Sequence, residues 1–335
     1  MRVICAPDTL KGSLKAPAAA GALAEGLERT PGVVAERLPV ADGGEGTTDV
    51  LQAAVGGTVH EAHVADPLGR QLTARFLLLE RSRTAVVESA EAIGLIHLDQ
   101  HERDPTQTSS AGLGQLMLAA LERGAMELIV TLGGSATVDG GEGLRAALPP
   151  GALDGVRLRV ACDVQNPLLG PRGAAAAFGP QKGATAEQVA LLERRLADMS
   201  ELAHVADVEG AGAAGGLGAA LAALGGELVP GADLVLDAIG FAERLRDADL
   251  VVTGEGSVDQ TTVEGKAPAA VARVCGAAGV PCVVFGGAVR IPQTPLYGHG
   301  ATAVLRLSGR PSRARRDLVE LGEGLGRLAS ALRSG

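Results

Sequence analysis

The chain has 335 residues, room for two domains of ordinary size. A formal charge of −9 and an aromatic content of 1%, with no Trp and one Tyr, exclude a nucleic-acid binder. Phosphate backbones need a basic footprint and bases need stacking platforms, and neither is present. A small anionic substrate stays open, because a local cluster of cations overrides the net field.

Residues 2–6 form a short β-branched apolar run stopped by Pro7, which predicts a buried strand. Residues 15–30 are rich in Ala and Leu at helical spacing, with Pro17 near the start, where a missing N–H costs little. A second strand is predicted over 33–39 and a helix over 47–55, after a Gly-rich turn. This alternation predicts a parallel sheet with helices on both faces. Strand patterns over 58–65, 71–79 and 84–89 follow, with Asp66-Pro67-Leu68-Gly69 as a turn between the first two. Three strands without an intervening helix break the rhythm and mark entry into a second domain. A helix over 112–123, N-capped by Ser109 or Ser110, comes next. Strands over 128–132 and 158–161 and a helix over 185–203 complete the middle. Alternation then resumes: strand 250–253, helix 267–278, strands 282–285 and 301–305, and a closing helix over 313–332. The two ends of the chain are expected to build one open sheet with the middle inserted into it.

Four scattered cysteines (Cys5, Cys162, Cys275, Cys282) form no C-x-x-C pair, and no secretory apolar region is evident. A reducing cytoplasm without disulfides is expected. No apolar run approaches the length of a membrane span. Of six histidines, His60 and His63 lie three apart in a strand-like segment and so point to opposite faces. That pair and the pair His97 and His101 read as structural or solvated rather than as zinc ligands.

Lysine is scarce: four against 26 arginines. Three of the four, Lys11, Lys182 and Lys266, touch a glycine in a glycine-rich segment. A compact ammonium beside bare backbone N–H groups is a way to hold phosphate, where a planar guanidinium fits less well. Lys15 is the exception and reads as solvated. Glycines also gather where strands end, in Pro7-Asp8-Thr9-Leu10-Lys11-Gly12-Ser13, Ala41-Asp42-Gly43-Gly44-Glu45-Gly46-Thr47, Gly133-Gly134-Ser135-Ala136-Thr137-Val138-Asp139-Gly140-Gly141 and Thr253-Gly254-Glu255-Gly256-Ser257-Val258-Asp259. Each segment is expected to leave a strand and enter a helix, the place where open α/β sheets bind ligands. Each also carries carboxylates able to hold Mg²⁺ or to take a proton from an attacking hydroxyl. The combination points to phosphoryl transfer. No G-x-x-x-x-G-K-[ST] motif and no protein-kinase set occurs. Gly210-Ala211-Gly212-Ala213-Ala214-Gly215 matches a dinucleotide fingerprint with Asp233 downstream, but the preceding residues 206–209 make a poor strand.

These blocks, in order along the chain, resemble the glycerate kinase family of the bacterial glycerate 2-kinase type. So do Cys162-Asp163-Val164 with Asn166-Pro167-Leu168, Phe178-Gly179-Pro180-Gln181-Lys182-Gly183-Ala184, residues 210–218, and Asp259-Gln260-Thr261 with Gly265-Lys266. The sequence departs from the family pattern at Thr9, where Ser is frequent, at Val138, where Asn is usual, and at Ser257, where Arg is frequent. The resemblance implies a discontinuous Rossmann- or flavodoxin-like parallel-sheet domain (1–60 and 240–335) with an inserted second α/β domain (61–239). The active site is expected in the cleft between them. It implies ATP- and Mg²⁺-dependent phosphorylation of D-glycerate, with 2-phosphoglycerate favoured over 3-phosphoglycerate. A cytoplasmic monomer or homodimer with no nucleic-acid or membrane partner is expected.

On that basis Lys11 and Ser13 are expected to bind an anionic substrate group, with Asp8 beside the substrate or orienting the Lys11 loop. Asp42, backed by Glu45, is the first choice for general base or metal ligand. Gly43, Gly44, Gly133, Gly134, Ser135, Gly254 and Gly256 are expected around the nucleotide phosphates. Asp139, Glu255 and Asp259 are the candidate Mg²⁺ ligands, and Lys182 and Lys266 neutralise the transferring phosphoryl group. Arg70 or Arg172 is expected to fork onto the glycerate carboxylate. Two other classes remain in view: an NAD-dependent hydroxy-acid oxidoreductase, resting on the Gly210 match, and a non-catalytic glycerate or nucleotide sensor.

Overall fold

The structure, a computed structural model, describes residues 1–334. Its contacts define two compact units. The first comprises Met1–Asp42, Asp49–Gly56 and the chain from Ala232 onward; the second comprises Gly43–Thr48 and Gly57–Gly231. The described residues hold the strands β1 (Arg2–Pro7), β2 (Val34–Arg37), β3 (Thr58–Ala65), β4 (Gln71–Leu79), β5 (Thr84–Glu88), β6 (Glu127–Thr131), β7 (Arg157–Ala161), β8 (Glu227–Val229), β9 (Leu250–Val258), β10 (Cys282–Val289) and β11 (Ala303–Arg306).

The first unit is built on a parallel five-stranded sheet of order β11-β10-β9-β1-β2. Counted as this unit's own chain visits them, the strands run 2-1-3-4-5, the flavodoxin-like doubly wound order. β1 lies inside the sheet, between β9 and β2, and is buried on both faces, which is why Val3, Ile4, Cys5 and Ala6 form an unbroken apolar run without alternation. Val3, Cys5, Leu23, Leu27, Val252, Phe285 and Leu318 share one core. The Ala16–Leu27 helix starts with Pro17 in its first turn and packs on the closing helix, Ala314–Ser334. These two helices approach closely through glycines. A Cβ on Gly26 would stand 2.1 Å from the Val319 carbonyl oxygen.

The second unit holds a mixed sheet of order β3-β4-β5-β6-β7-β8. β3, β4 and β5 pair antiparallel, and β5 to β8 pair parallel. The turn between β3 and β4 closes on Asp66, whose Oδ1 accepts from Leu68 N at 2.8 Å and Arg70 N at 2.9 Å. Phe76, Ile93, Leu113, Val130 and Leu217 anchor the main core, while Val138, Leu168, Leu192 and Leu202 form a second cluster. The protein is therefore α/β, a discontinuous flavodoxin-like parallel-sheet domain with a second α/β domain inserted in the chain.

Three expectations need correction. β9 does not stop at Thr253. It continues through Gly254-Glu255-Gly256 to Val258, paired with a β10 that runs on to Val289, so the fourth glycine segment is strand rather than loop. Its glycines permit close pairing: a Cβ on Gly254 would fall 2.1 Å from the Phe285 carbonyl oxygen. The helix expected over 185–203 ends at Ala197 and is followed by a 3-10 segment, Ser200–Val205. The Gly210 match follows that 3-10 segment, not a strand, and its glycines serve packing. A Cβ on Gly215 would meet the Thr137 carbonyl oxygen at 2.1 Å. The nicotinamide reading loses its structural footing there.

Candidate active site

In a doubly wound sheet the ligand crevice opens beyond the carboxyl ends of the strands where the order reverses. Here that point lies between β1 and β9. Pro7 pairs with Gly254, and Asp8 N donates to the Gly254 carbonyl at 2.9 Å, so Asp8 leaves the sheet beside Glu255, which β9 still carries in register with β10. After β2 the chain stays beside β1 through Val40 N donating to Pro7 O at 3.0 Å, which carries Asp42 to the same end. Burial, and then the Asp42 charge, push the Asp8 carboxyl up to about 7, against a short bond accepted from Thr9 N. Glu255 is buried, 7% exposed, and burial raises its carboxyl too. The Thr262 hydroxyl donating to its Oε1 at 2.6 Å and the Lys266 ammonium 3.8 Å from its Oε2 work the other way. Lys266 stands at the N-cap position of the Ala267–Ala278 helix. Lys11 rises from a turn closed by Leu14 N donating to Leu10 O, and it is exposed. Gly256 abuts that turn: a Cβ there would stand 3.2 Å from Lys11 N.

Asp259 is occupied differently from expectation. It caps the short Gln260–Val263 helix, accepting from Thr261 N at 3.0 Å and Thr261 Oγ1 at 2.6 Å. These bonds hold its carboxyl below the usual range. Lys15 makes a surface ion pair with Asp49 at 3.1 Å. Among the described residues, no three His, Cys, Asp or Glu side chains converge as a ready-made metal centre.

In the second unit the carboxyl ends of β5, β6 and β7 meet the Gly43–Thr48 segment. Glu88, at the end of β5, is 3% exposed and grips that segment by its backbone. Its Oε2 accepts from Gly46 N at 2.9 Å and its Oε1 from Thr48 N at 2.6 Å, while burial raises its carboxyl. The glycines of the segment allow close approach: a Cβ on Gly43 would stand 2.8 Å from both Ala161 Cβ and Gly231 Cα. Gly133 backs onto Gly44, and Glu45 points to solvent. Glu88 was not anticipated from sequence. Its only signal is a lone acid ending an otherwise apolar run, Ala85-Val86-Val87-Glu88.

Lys182 is buried, 3% exposed, and donates to Ser135 Oγ at 3.0 Å and to the Thr137 carbonyl at 2.7 Å. Burial brings its ammonium down to about 7, opposed by the Asp139 charge. It is thus an internal tether of the loop running from Gly133 to Asp139. Gly134 lends the same loop a second anchor by accepting from Leu95 N at 2.9 Å. Asp139 is engaged by its own surroundings: Oδ2 accepts from Ser110 N and Ser110 Oγ, each at 2.7 Å, and Oδ1 accepts from Gly141 N at 3.1 Å. Four internal donors, with Gly143 N at 3.3 Å, make this carboxylate the anchor of two helix starts. Ser110 accordingly gives its hydroxyl to Asp139 rather than to its own helix. Arg70 is a correction. Its Nε pairs with Asp66 at 2.5 Å, its Nη1 with Glu102 at 2.7 Å and its Nη2 with the His97 carbonyl at 3.0 Å, so its fork is spent on the β3–β4 turn. Arg172 is exposed, and Asn166 Nδ2 donates to its carbonyl at 2.7 Å.

Two cavities border these residues, one in each unit. The second unit has one of about 700 Å³ beside Asp139, Glu142, Asp198 and Glu201, with Arg195. Its size suits a nucleotide but its charge opposes a bare polyphosphate. The first unit has one of about 160 Å³ that includes Lys11 and Ser13. Ser13 itself donates to the Pro311 carbonyl at 3.0 Å.

A flavodoxin-like switch point that gathers three carboxylates and two lysines defines a small-molecule enzyme of the phosphoryl-transfer kind rather than a dinucleotide binder. A family model described as the glycerate kinase family matches residues 3–154 and 149–333. The chain is 41% identical to the glycerate kinase of Bacillus subtilis (strain 168), over 92% of this chain and 90% of that one. It is 38% identical to the glycerate 2-kinase of Escherichia coli (strain K12), over 91% and 90%. A crystal structure of a Salmonella typhimurium LT2 protein, provisionally assigned as glycerate kinase 2, superposes with a TM-score of 0.90 at 34% identity, covering all of both chains. The chain belongs to the glycerate kinase family. Among the described residues no helix is long and apolar enough to cross a membrane.

Proposed function

We propose that this chain transfers the γ-phosphoryl group of ATP to the 2-hydroxyl of D-glycerate, giving 2-phosphoglycerate and ADP. The observation that carries the reading is the switch-point cluster in a chain of this family. Asp8, its carboxyl raised to about 7, stands with Asp42, Glu255, Lys11 and Lys266 at the carboxyl ends of β1 and β9. Phosphoryl transfer asks of a protein chiefly position and charge. A carboxyl tuned near neutral pH is suited to accept a hydroxyl proton. Asp8 is our choice of base in place of Asp42, the first choice from sequence; burial first, and then the Asp42 charge, raise its carboxyl. The hydroxyl gives its proton to Asp8, its oxygen bonds to the γ-phosphorus, and the β–γ bridging bond breaks toward ADP. Lys11 and Lys266 face the negative charge of substrate and phosphoryl group.

Mg²⁺ fits the donor set. It favours one or two protein carboxylates completed by phosphate oxygens and water. Glu255 and Asp42, whose charges both burden Asp8, offer such a partial set. Bound there, the ion would neutralise phosphate charge. In the second unit, Lys182 and Glu88 hold the Gly133–Asp139 and Gly43–Thr48 loops in the shape their backbone needs to meet phosphate.

The regiochemistry is supported by the likeness to the Escherichia coli protein named glycerate 2-kinase. Incubation with ATP, Mg²⁺ and D-glycerate is expected to release ADP and to give a product whose phosphorus couples to a single carbon-bound proton. Coupling to a pair of methylene protons would mean the 3-phosphate. Absence of ADP would sink the kinase reading altogether.

A further inference from the structure

We propose that the small basic cavity of the first unit seats the substrate carboxylate, with Arg290 and Arg310 as the residues that set specificity for a small hydroxy acid. This rests on the glycerate kinase reading and adds residues to it. The cavity, about 160 Å³, lies where β9, β10 and β11 end and is lined by Lys11, Ser257, Gly287, Arg290, Gly309 and Arg310, with Asp317 at its wall.

Three features mark it as an anion site. First, Lys11, Arg290 and Arg310 enter no ion pair among the described residues, in a chain whose acids outnumber its bases 39 to 30. Three cations without partners around one hollow make a local positive field that the net charge of −9 would not predict. Second, the Ser257 hydroxyl is buried and has no hydrogen-bond partner. A buried hydroxyl without a protein partner is completed by a water or by a ligand. Third, the one carboxylate in the wall is already spent. Asp317 accepts from Ser308 N at 3.2 Å and from the Ser308 hydroxyl, and faces Arg313 Nε at 3.4 Å.

Position ties the cavity to the chemistry. Ser257 lies two residues beyond Glu255 on β9, in unbroken register with β10 (Glu255 opposite Gly286, Ser257 opposite Ala288), so both side chains share one face. Lys11 belongs to the switch-point loop. The roots of both arginines are pinned by backbone bonds: Arg290 N donates to Val258 O at 2.9 Å, and Arg310 N to Ser308 Oγ at 3.3 Å. Volume decides between the two anionic substrates. The cavity is well below the roughly 300 Å³ where ordinary ligand pockets begin, so it admits a three-carbon acid and not a nucleoside triphosphate. Guanidinium forks match a planar carboxylate in geometry.

The test is steady-state kinetics of Arg290→Ala, Arg310→Ala, the double variant and the two Lys replacements, beside calorimetry of D-glycerate without nucleotide. Both arginines are exposed, so the fold should hold, as melting curves would verify. Loss of a charge-assisted contact should raise KM for glycerate about 10- to 100-fold per arginine, with KM for ATP within about twofold of wild type and partial recovery in the Lys variants. Unchanged KM for glycerate, or a rise in KM for ATP instead, overturns the proposal. Calorimetry separates this from the kinase reading. If the wild type forms no ADP but binds glycerate and the double variant does not, the pocket stands and the kinase reading falls. If both bind glycerate equally, the pocket falls whatever the turnover.

Discussion

At the residue scale, three glycine-flanked lysines that look alike in sequence have three different environments. Lys182 is buried and donates to Ser135 Oγ and the Thr137 carbonyl; Lys266 is partly covered beside Glu255; Lys11 is exposed. Replacement by Arg, which keeps charge but adds bulk and a planar head, should therefore divide them. Lys182→Arg is expected to lower the melting temperature and to reduce kcat at least roughly tenfold, because overpacking a buried site displaces the loop it holds. Lys11→Arg should cost much less. Equal kcat values for the two variants would overturn the distinction. Asp8 makes a second residue-scale prediction. Its carboxyl is raised from an ordinary value near 3.8 to about 7, so the folded state keeps a proton that the unfolded chain releases. The stability it contributes is present below pH ~4 and lost as pH rises through about 7. Asp8→Asn should thus match wild type at low pH and gain about 2–4 kcal/mol above neutrality in metal-free buffer, while losing turnover. Melting curves across that range check the sign, and a gain that shrinks with pH would contradict it.

At the element scale, the segment Gly43–Thr48 is held to β5 by one buried carboxylate. Glu88→Gln keeps the shape but turns one acceptor into a donor facing a backbone N–H. The expected cost is about 1–3 kcal/mol, with a kcat loss that Glu88→Asp does not share in full. Because burial raises the Glu88 carboxyl, its own contribution to stability also falls as pH climbs above the usual Glu range, so the variant's deficit should narrow toward high pH. Denaturant melts at two pH values would test it, and a deficit that widens would refute it. The β9–β10 pair shows why elements were misjudged. Gly254-Glu255-Gly256 and Gly286-Gly287 read as turns by composition. Both stretches instead remain paired, since each tolerates the close approach that glycine allows.

At the scale of the whole molecule, each unit has its own sheet and its own core, and the second is almost continuous in sequence. An excised Gly57–Gly231 fragment retains all of β3 to β8 and is expected to give an α/β circular-dichroism spectrum and a cooperative melt. It should melt below the full chain, because Glu88 loses the Gly46 and Thr48 donors. A fragment without cooperative unfolding would show that the unit is not autonomous. Much of this architecture was legible beforehand. β1, the Ala267–Ala278 helix and the three-strand run β3 to β5 carry the periodicity and stop signals that local sequence encodes. The short helices Ser89–Ile93 and Glu142–Ala147 were not legible: with five and six residues, they are too brief to show a helical period.

Residue type and local spacing alone set the class of chemistry. Lysines among glycines, with acids near strand ends, point to phosphate handling, and the ordered blocks resemble the family to which the chain belongs. Which of those residues meet was settled by the tertiary fold. Strand order places Asp8 beside Glu255, far from it in sequence, and register brings Ser257 onto the face Glu255 uses. The fold also spent Arg70 on Asp66 and Glu102, committed Asp139 to Ser110, and revealed Glu88, Arg290 and Arg310. Hydrogen-bond partners, burial and the pKa values that follow from them arise from contacts between segments far apart in the chain, and no local pattern records such contacts.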